Sequence, residues 1–239
     1  MPSTITELLW RCAGFVALAG ALLVPLEALW PRQRAQRTWA IDVTYFLLGA
    51  MTLRFVVGPA LDAVTWSRSR DVHRLGLAFF GAEVMAYLVH RAMHEVPWLY
   101  RFHRVHHEPK VLDWLKAWRQ HPVDVALHAF AVAVPGVLLG APLSGLAGLV
   151  LVRRLYTGFL HANVSFRFGW LEHVIATPRF HHGHHEVFEG NYAGLFPWID
   201  RIFGTLKSNR CGIRRANESR FRSEGREVAG AGLRRRRHA

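Results

Sequence analysis

Five stretches of this 239-residue chain are apolar for long enough to cross a lipid bilayer, and they restrict its possible folds more than any other feature. Residues 12–30 are apolar except for Glu27, and residues 39–64 follow, broken near Gly58 and Pro59. The others are residues 75–94, 123–139 and 143–161. In hydrocarbon, backbone N–H and C=O groups must be satisfied within the protein, which leaves helices or closed barrels. The runs are too long and continuous for barrel strands. The expected fold is therefore all-α, an integral membrane helical bundle of four to five spans. The first span lacks the basic flank and small-residue cleavage site of a signal peptide, so it is expected to be retained. Gly140-Ala141-Pro142 is so short a connection that the last two spans are expected to form an antiparallel hairpin.

Charge follows a different plan from hydropathy. Apolar residues make up 51% of the chain and charged residues only 20%, yet the net charge is +13. The excess is concentrated at the end: after residue 206 come Arg234 to Arg237 and further basic residues with few large apolar ones. One membrane-embedded domain over residues 1–205 and a basic, disordered tail over 206–239 are expected. Nucleic acid does not explain the charge, because no binding motif accompanies it and the apolar bulk demands lipid. Cys12 and Cys211 are far apart and have no metal-ligand spacing. Arg32, Arg34, Arg37 and everything after His161 fall on one side of the membrane if the spans alternate. By the positive-inside rule that side is cytoplasmic, with the N-terminus outside. The loop carrying Arg68, Arg70 and Arg74 opposes this assignment.

All histidines but His238 lie between His73 and His185, and the informative ones are grouped. They are His90-x3-His94, His103-x2-His106-His107 and His181-x2-His184-His185, with His121 and His161 standing singly. Imidazole binds Zn, Cu, Fe and Ni, whereas a core gains little from a ring that must find hydrogen-bond partners. Residues three and four apart share a helix face, so His90 and His94 can point at one metal. Each His-x2-His-His triangle can serve two. With alternating spans, His90, His94, His121 and His161 all emerge on one side of the membrane. Both triangles lie in segments on that same side, so a single histidine-rich site is expected there.

These residues also carry a family resemblance. The run from His90 to His107, HRAMHEVPWLYRFHRVHH, resembles the first histidine block of the fatty acid hydroxylase/sterol desaturase superfamily. His121-Pro-Val-Asp124 resembles its middle element, and His161-Ala-Asn163 its isolated histidine. Thr177 to His185, with Asn191-Tyr192 and the segment from Trp198 to Thr205, is similar to the closing block. The likeness runs from about Val89 to Thr205 in the family's order. It implies an integral membrane, non-haem di-iron oxygenase with a helical core and a cytoplasmic, histidine-rich helical cap. The ligand set it implies is His90, His94, His103, His106, His107, His121, His161, His181, His184 and His185. The eight grouped histidines of that set would be the catalytic ones, and two iron ions the cofactor, which Zn can replace on purification.

An all-nitrogen shell has no bridging carboxylate, so nearby acids are expected to orient the rings, with Asp124 and Asp200 as candidates. Glu83 and Tyr87 share the face of His90 and His94. Glu83 either serves the site or its channel, or pairs with Arg153 or Arg154. His128 either lines a substrate path or is a hydrogen-bonded polar residue of the bundle; His173 and His182 lie near the site in sequence. Trp98, Tyr100, Phe102, Trp114 and Trp118 are expected to form an interfacial aromatic belt.

The resemblance implies hydroxylation or desaturation of a lipid C–H bond with dioxygen and two external electrons. No Gly-x-Gly-x-x-Gly element and no haem-attachment cysteine pair occurs, so the electron donor is expected to be a separate ferredoxin or cytochrome. Two alternatives stay open. A zinc-binding or metal-transport protein would spread ionisable groups along its spans, and a zinc hydrolase would want three ligands and a carboxylate base.

Overall fold

Among residues 4–36, 38–62, 72–141 and 143–207, which the computed structural model describes, every regular element is helical. The helices are α1 (Thr4–Leu29), α2 (Trp39–Thr52), α3 (Gly58–Asp62), α4 (Val72–Glu95), α5 (Pro97–His107), α6 (Pro122–Leu139), α7 (Leu143–His161), α8 (Pro178–Val187) and α9 (Pro197–Ile202). Short 3₁₀ turns cover Trp114–Trp118 and Gly169–His173. The tail read as disordered lies, apart from Leu206 and Lys207, outside the described residues. So do Arg68 and Arg70.

Proline sets several helix starts. It occupies the first turn of α5, α6, α8 and α9, where its missing N–H costs nothing and its φ is already helical. At Pro59 the same residue interrupts: a π-helical turn, Leu53–Val57, separates α2 from α3 at the break the sequence marks near Gly58.

Among the described residues, three helical runs are long and apolar enough to cross a membrane: α1, Trp39–Leu61 and α6. Their outward faces expose Leu9, Trp10, Leu22, Val56 and Leu138, which suits lipid and not water. The segments read as third and fifth spans are helices of 24 (α4) and 19 (α7) residues. Both carry ionisable residues: Glu83, His90, Arg91, His94 and Glu95 on α4, and Arg153, Arg154 and His161 on α7. Glu83 is buried and accepts a 2.6 Å hydrogen bond from Arg153 Nε, so these charges turn inward as a pair.

The expected hairpin differs in its packing. Gly140, at φ +59°, ends α6 and its N–H caps the last turn, so the connection to α7 is tight. Beyond the turn, close packing between the two helices is sparse among the described residues. α6 lies along α4, while α7 packs on the turn Trp114–Trp118 and on α8. Turn length governs connectivity, whereas packing follows the side chains. Between α6 and α7 lies a cavity of about 650 Å³, bounded also by α2 and α4.

The turn Trp114–Trp118 is the wedge that holds this arrangement. Trp118 is buried edge-on against Phe15 and Phe46, so it belongs to the core and not to an aromatic belt; Trp98 is the exposed one. Lys116 is buried with Asp113 and donates to the Gln36 carbonyl at 3.0 Å. Asp42 on α2 receives Arg119 at 3.5 Å. Glu27 Oε1 accepts from the backbone N–H groups of Trp114 at 2.8 Å and Asn163 at 2.9 Å, joining the end of α1 to two distant segments.

Gly158 is where α7 meets that wedge. A Cβ there would stand 3.0 Å from the Trp118 ring and 3.1 Å from Leu23, whereas one at Gly14 would meet nothing within 4 Å. Gly158→Leu is expected to destabilise the detergent-solubilised protein by about 1–3 kcal/mol. Gly14→Ala should stay within about 0.5 kcal/mol. Thermal unfolding of both variants checks the difference.

Candidate metal centre

Helical periodicity brings the histidines together, and it also sorts them. His90 and His94 leave the last turns of α4, His103 and His107 come from α5, and His184 from α8; their ligand nitrogens form one group. His106 from α5, His161 from the end of α7, and His181 and His185 from α8 form a second. Within each group the candidate donor atoms all lie within 4.8 Å of one another. The two triangles are used in opposite senses. On α5 the i and i+4 rings serve the first group and i+3 the second; on α8 the assignment is exchanged. The groups are close neighbours, and the rings of His107 and His185 stack with centroids 4.2 Å apart.

Outward hydrogen bonds fix which nitrogen faces inward. The Nδ1–H of His90 donates to the Tyr192 carbonyl at 2.7 Å, that of His184 to Gly190 at 2.8 Å, and that of His161 to Thr157 at 2.9 Å. His103 donates from Nδ1 to Asp124 Oδ2 at 2.8 Å. Each of these rings therefore presents an Nε2 lone pair to its group. Asp124 is fully buried and takes a second bond from His128 Nδ1, also at 2.8 Å. Asp200 acts one step further out: it accepts from the N–H groups of Tyr192 and Ala193 at 2.8 Å, holding the loop whose carbonyl orients His90.

The donor set fits a metal. Nε2 of His90, His94 and His103 is buried without a protein hydrogen-bond partner. In the second group, His161 Nε2 lies 3.0 Å from His106 Nε2 and 3.1 Å from His181 Nε2, and His185 Nε2 lies 3.2 Å from His181 Nε2. A metal–imidazole bond of about 2.1 Å places neighbouring donors roughly 3.0–3.4 Å apart in six- or four-coordinate shells. Ligation needs neutral rings. Burial, followed by the neighbouring histidines, pushes His106, His107, His181 and His185 well below the usual imidazole range, and burial brings His184 to about 3.

His121 is the ligand expected from sequence that the structure does not bring to either group. Preceding Pro122, it caps α6, and its Nδ1 accepts the Val123 N–H at 3.1 Å. His182 is buried outside both groups and donates to the His161 carbonyl at 3.3 Å; His173 is exposed. Thr157, Gly190 and Tyr192 were not foreseen as ring-orienting groups, because backbone carbonyls leave no side-chain signal. Above the groups opens the cavity between α6 and α7, lined by His90, His103, His106 and His161 at one end and by Leu53, Ala82, Val132 and Leu149 further in.

Known proteins resemble this chain in sequence. A family profile described as Fatty acid hydroxylase matches residues 75–205. Ornithine lipid hydroxylase OlsE of Rhizobium tropici is 35% identical over 207 residues, covering 77% of this chain and 61% of its own. Methylsterol monooxygenase 1 of Rattus norvegicus is 32% identical over 121 residues, 50% of this chain and 41% of its own. Alkylglycerol monooxygenase of Danio rerio is 33% identical over 134 residues, 54% of this chain and 30% of its own. The chain thus spans less than two thirds of the length of these curated relatives. No solved structure matches.

Two substitutions separate ligands from neighbours. Asp124→Asn is expected to weaken metal retention by about 10–100-fold, as a lost outer partner of a ligating histidine does. His121→Ala should leave metal content unchanged and cost about 0.5–2 kcal/mol through the lost cap. Chelator competition followed by metal analysis reads the first effect, and thermal unfolding the second.

Proposed function

The chain belongs to the fatty acid hydroxylase family, and on that premise we propose that it is a membrane-bound non-haem di-iron oxygenase that hydroxylates or desaturates a C–H bond of a lipid. The observation that carries this is the meeting of two all-histidine groups with an apolar cavity inside a bundle of apolar helices. The names of these three relatives differ in the lipid, from ornithine lipid to methylsterol to alkylglycerol, and agree on hydroxylation or monooxygenation.

The first group would hold one iron through five imidazoles and the second another through four, an arrangement that leaves coordination positions for other ligands. Bound iron supplies the activation of dioxygen and the oxidation of an unactivated C–H bond. The chain's own residues do the rest. Asp124 accepts hydrogen bonds from Nδ1–H of both His103 and His128, so both rings keep their tautomer and stay in register. The carbonyls of Thr157, Gly190 and Tyr192 do the same for His161, His184 and His90. The cavity walls hold the acyl or alkyl part of the lipid and exclude water from the reacting end. In this proposal α4 and α7 span the membrane with α1, α2–α3 and α6, and the histidine cap and C-terminus face the cytoplasm. There a ferredoxin or cytochrome delivers electrons.

Full-length protein purified anaerobically in detergent should contain about two irons per chain and consume oxygen when given a reductant and lipid. His106→Ala should lower iron content and abolish lipid-dependent uptake. Zinc as the sole metal, with no uptake after reconstitution with ferrous iron, would overturn the proposal. So would undiminished turnover and iron in the variant.

A further inference from the structure

The cavity is apolar where a hydrocarbon chain would lie, yet two guanidinium groups line it. They are Arg153 and Arg154, consecutive on α7, and only one is matched. Arg153 donates from Nε to Glu83 Oε1 at 2.6 Å, and Glu83 is 1% exposed. Arg154 has no carboxylate partner among the described residues; its guanidinium lies 5.1 Å from the centroid of the Phe15 ring. A ring face offsets part of the cost of a desolvated cation, and the rest remains. With Arg153 matched by Glu83, Arg154 is left as an unmatched cation of the cavity lining.

Relief at the membrane surface is out of reach. Arg154 is seven residues from His161 and eleven from Leu143, the two ends of α7. At about 1.5 Å of rise per residue these are roughly 10 and 16 Å, further than a side chain extends when it curls toward the interface. Arg154, Thr157 and His161 recur at helical spacing, and all three line the cavity, so one stripe of α7 runs from the cation to a member of the second histidine group. Gly194 leaves room beside the matched pair: a Cβ there would come within 3.2 Å of Arg153 Nη2 and 3.5 Å of Glu83 Oε2.

We propose that Arg154 is a substrate-anchoring residue that binds the carboxylate of an acidic, single-chain lipid inside the cavity, and so selects a monoanionic substrate. Resting on the oxygenase reading above, it deepens that reading by naming the charge and the distance the substrate must present. A carboxylate accepts two parallel N–H bonds from a guanidinium and cancels the residual charge. The chain would then run along the apolar walls toward the histidines, placing its reacting carbon roughly 10 Å from the acidic group. Arg154 contacts substrate away from the reacting atoms and acts by positioning.

The test is binding of radiolabelled palmitate, methyl palmitate and hexadecyl phosphate to the purified full-length protein in neutral detergent. Palmitate is expected to bind at least about tenfold more tightly than its methyl ester, the contribution of a charge-assisted pair. Arg154→Gln should reduce palmitate to the level of the ester, while Arg154→Lys should keep most of the preference. Equal binding of acid and ester by the unaltered protein overturns the proposal, whatever the stability of the variants. A preference that survives in Arg154→Gln, or tighter binding of hexadecyl phosphate than of palmitate, overturns it as well. Failure here with iron and oxygen uptake intact leaves the oxygenase standing. Charge-selective binding without iron or uptake removes the oxygenase and keeps the subsite.

Discussion

Imidazole rings crowded nitrogen to nitrogen, out of reach of water, set the terms for the rest of the molecule. Each neutral ring has one donor and one acceptor. Where Nδ1 gives its proton to a carbonyl or to Asp124, Nε2 is left as a bare lone pair facing others like it. Protonating the rings is not a solution, since burial opposes charge at His106, His107, His181, His184 and His185. A cation shared by the converging nitrogens is the arrangement that satisfies them together. The scaffold can be understood as what keeps those lone pairs aimed inward: proline-started helices that fix ring direction, and loop carbonyls that fix the tautomer.

The exchange of roles between the triangles of α5 and α8 deepens this. A His-x2-His-His segment places two rings about 40° apart and the third roughly 60° and 100° from them. One such helix can bridge two ions but cannot complete either shell. Two of them, meeting with opposite assignments, supply three rings to each group, and α4 and α7 add the remainder. Neither group is local to a single element, so ion binding and the docking of helices are linked.

Much of this was legible because its causes are local. The apolar runs, the break before Pro59 and the shared face of His90 and His94 follow from composition and helical period. Asp124 was visible as an orienting acid because it sits three residues after His121, and Glu83 was visible as a charge that needed a partner. What could not be read depended on tertiary contact. His121 has the residue type of a ligand, but the following proline makes it a helix cap. The turn at Gly140 announces a hairpin, yet α6 prefers α4 and α7 prefers Trp118, so the pair opens into a cavity. Ring orientation by the carbonyls of Thr157, Gly190 and Tyr192 involves backbone that any residue would supply.

The carboxylate of Glu27 has a further consequence for how the protein is made. Its two amide partners lie 87 and 136 residues downstream. At roughly 5–20 residues per second, a ribosome reaches the second of them on the order of ten seconds after synthesising Glu27. Through that interval the carboxylate at the end of the first helix lacks the second of its two amide partners. Its docking is thus a late event of biogenesis, completed only when α7 has emerged, and a nascent chain halted before Asn163 would hold α1 loosely in the bilayer.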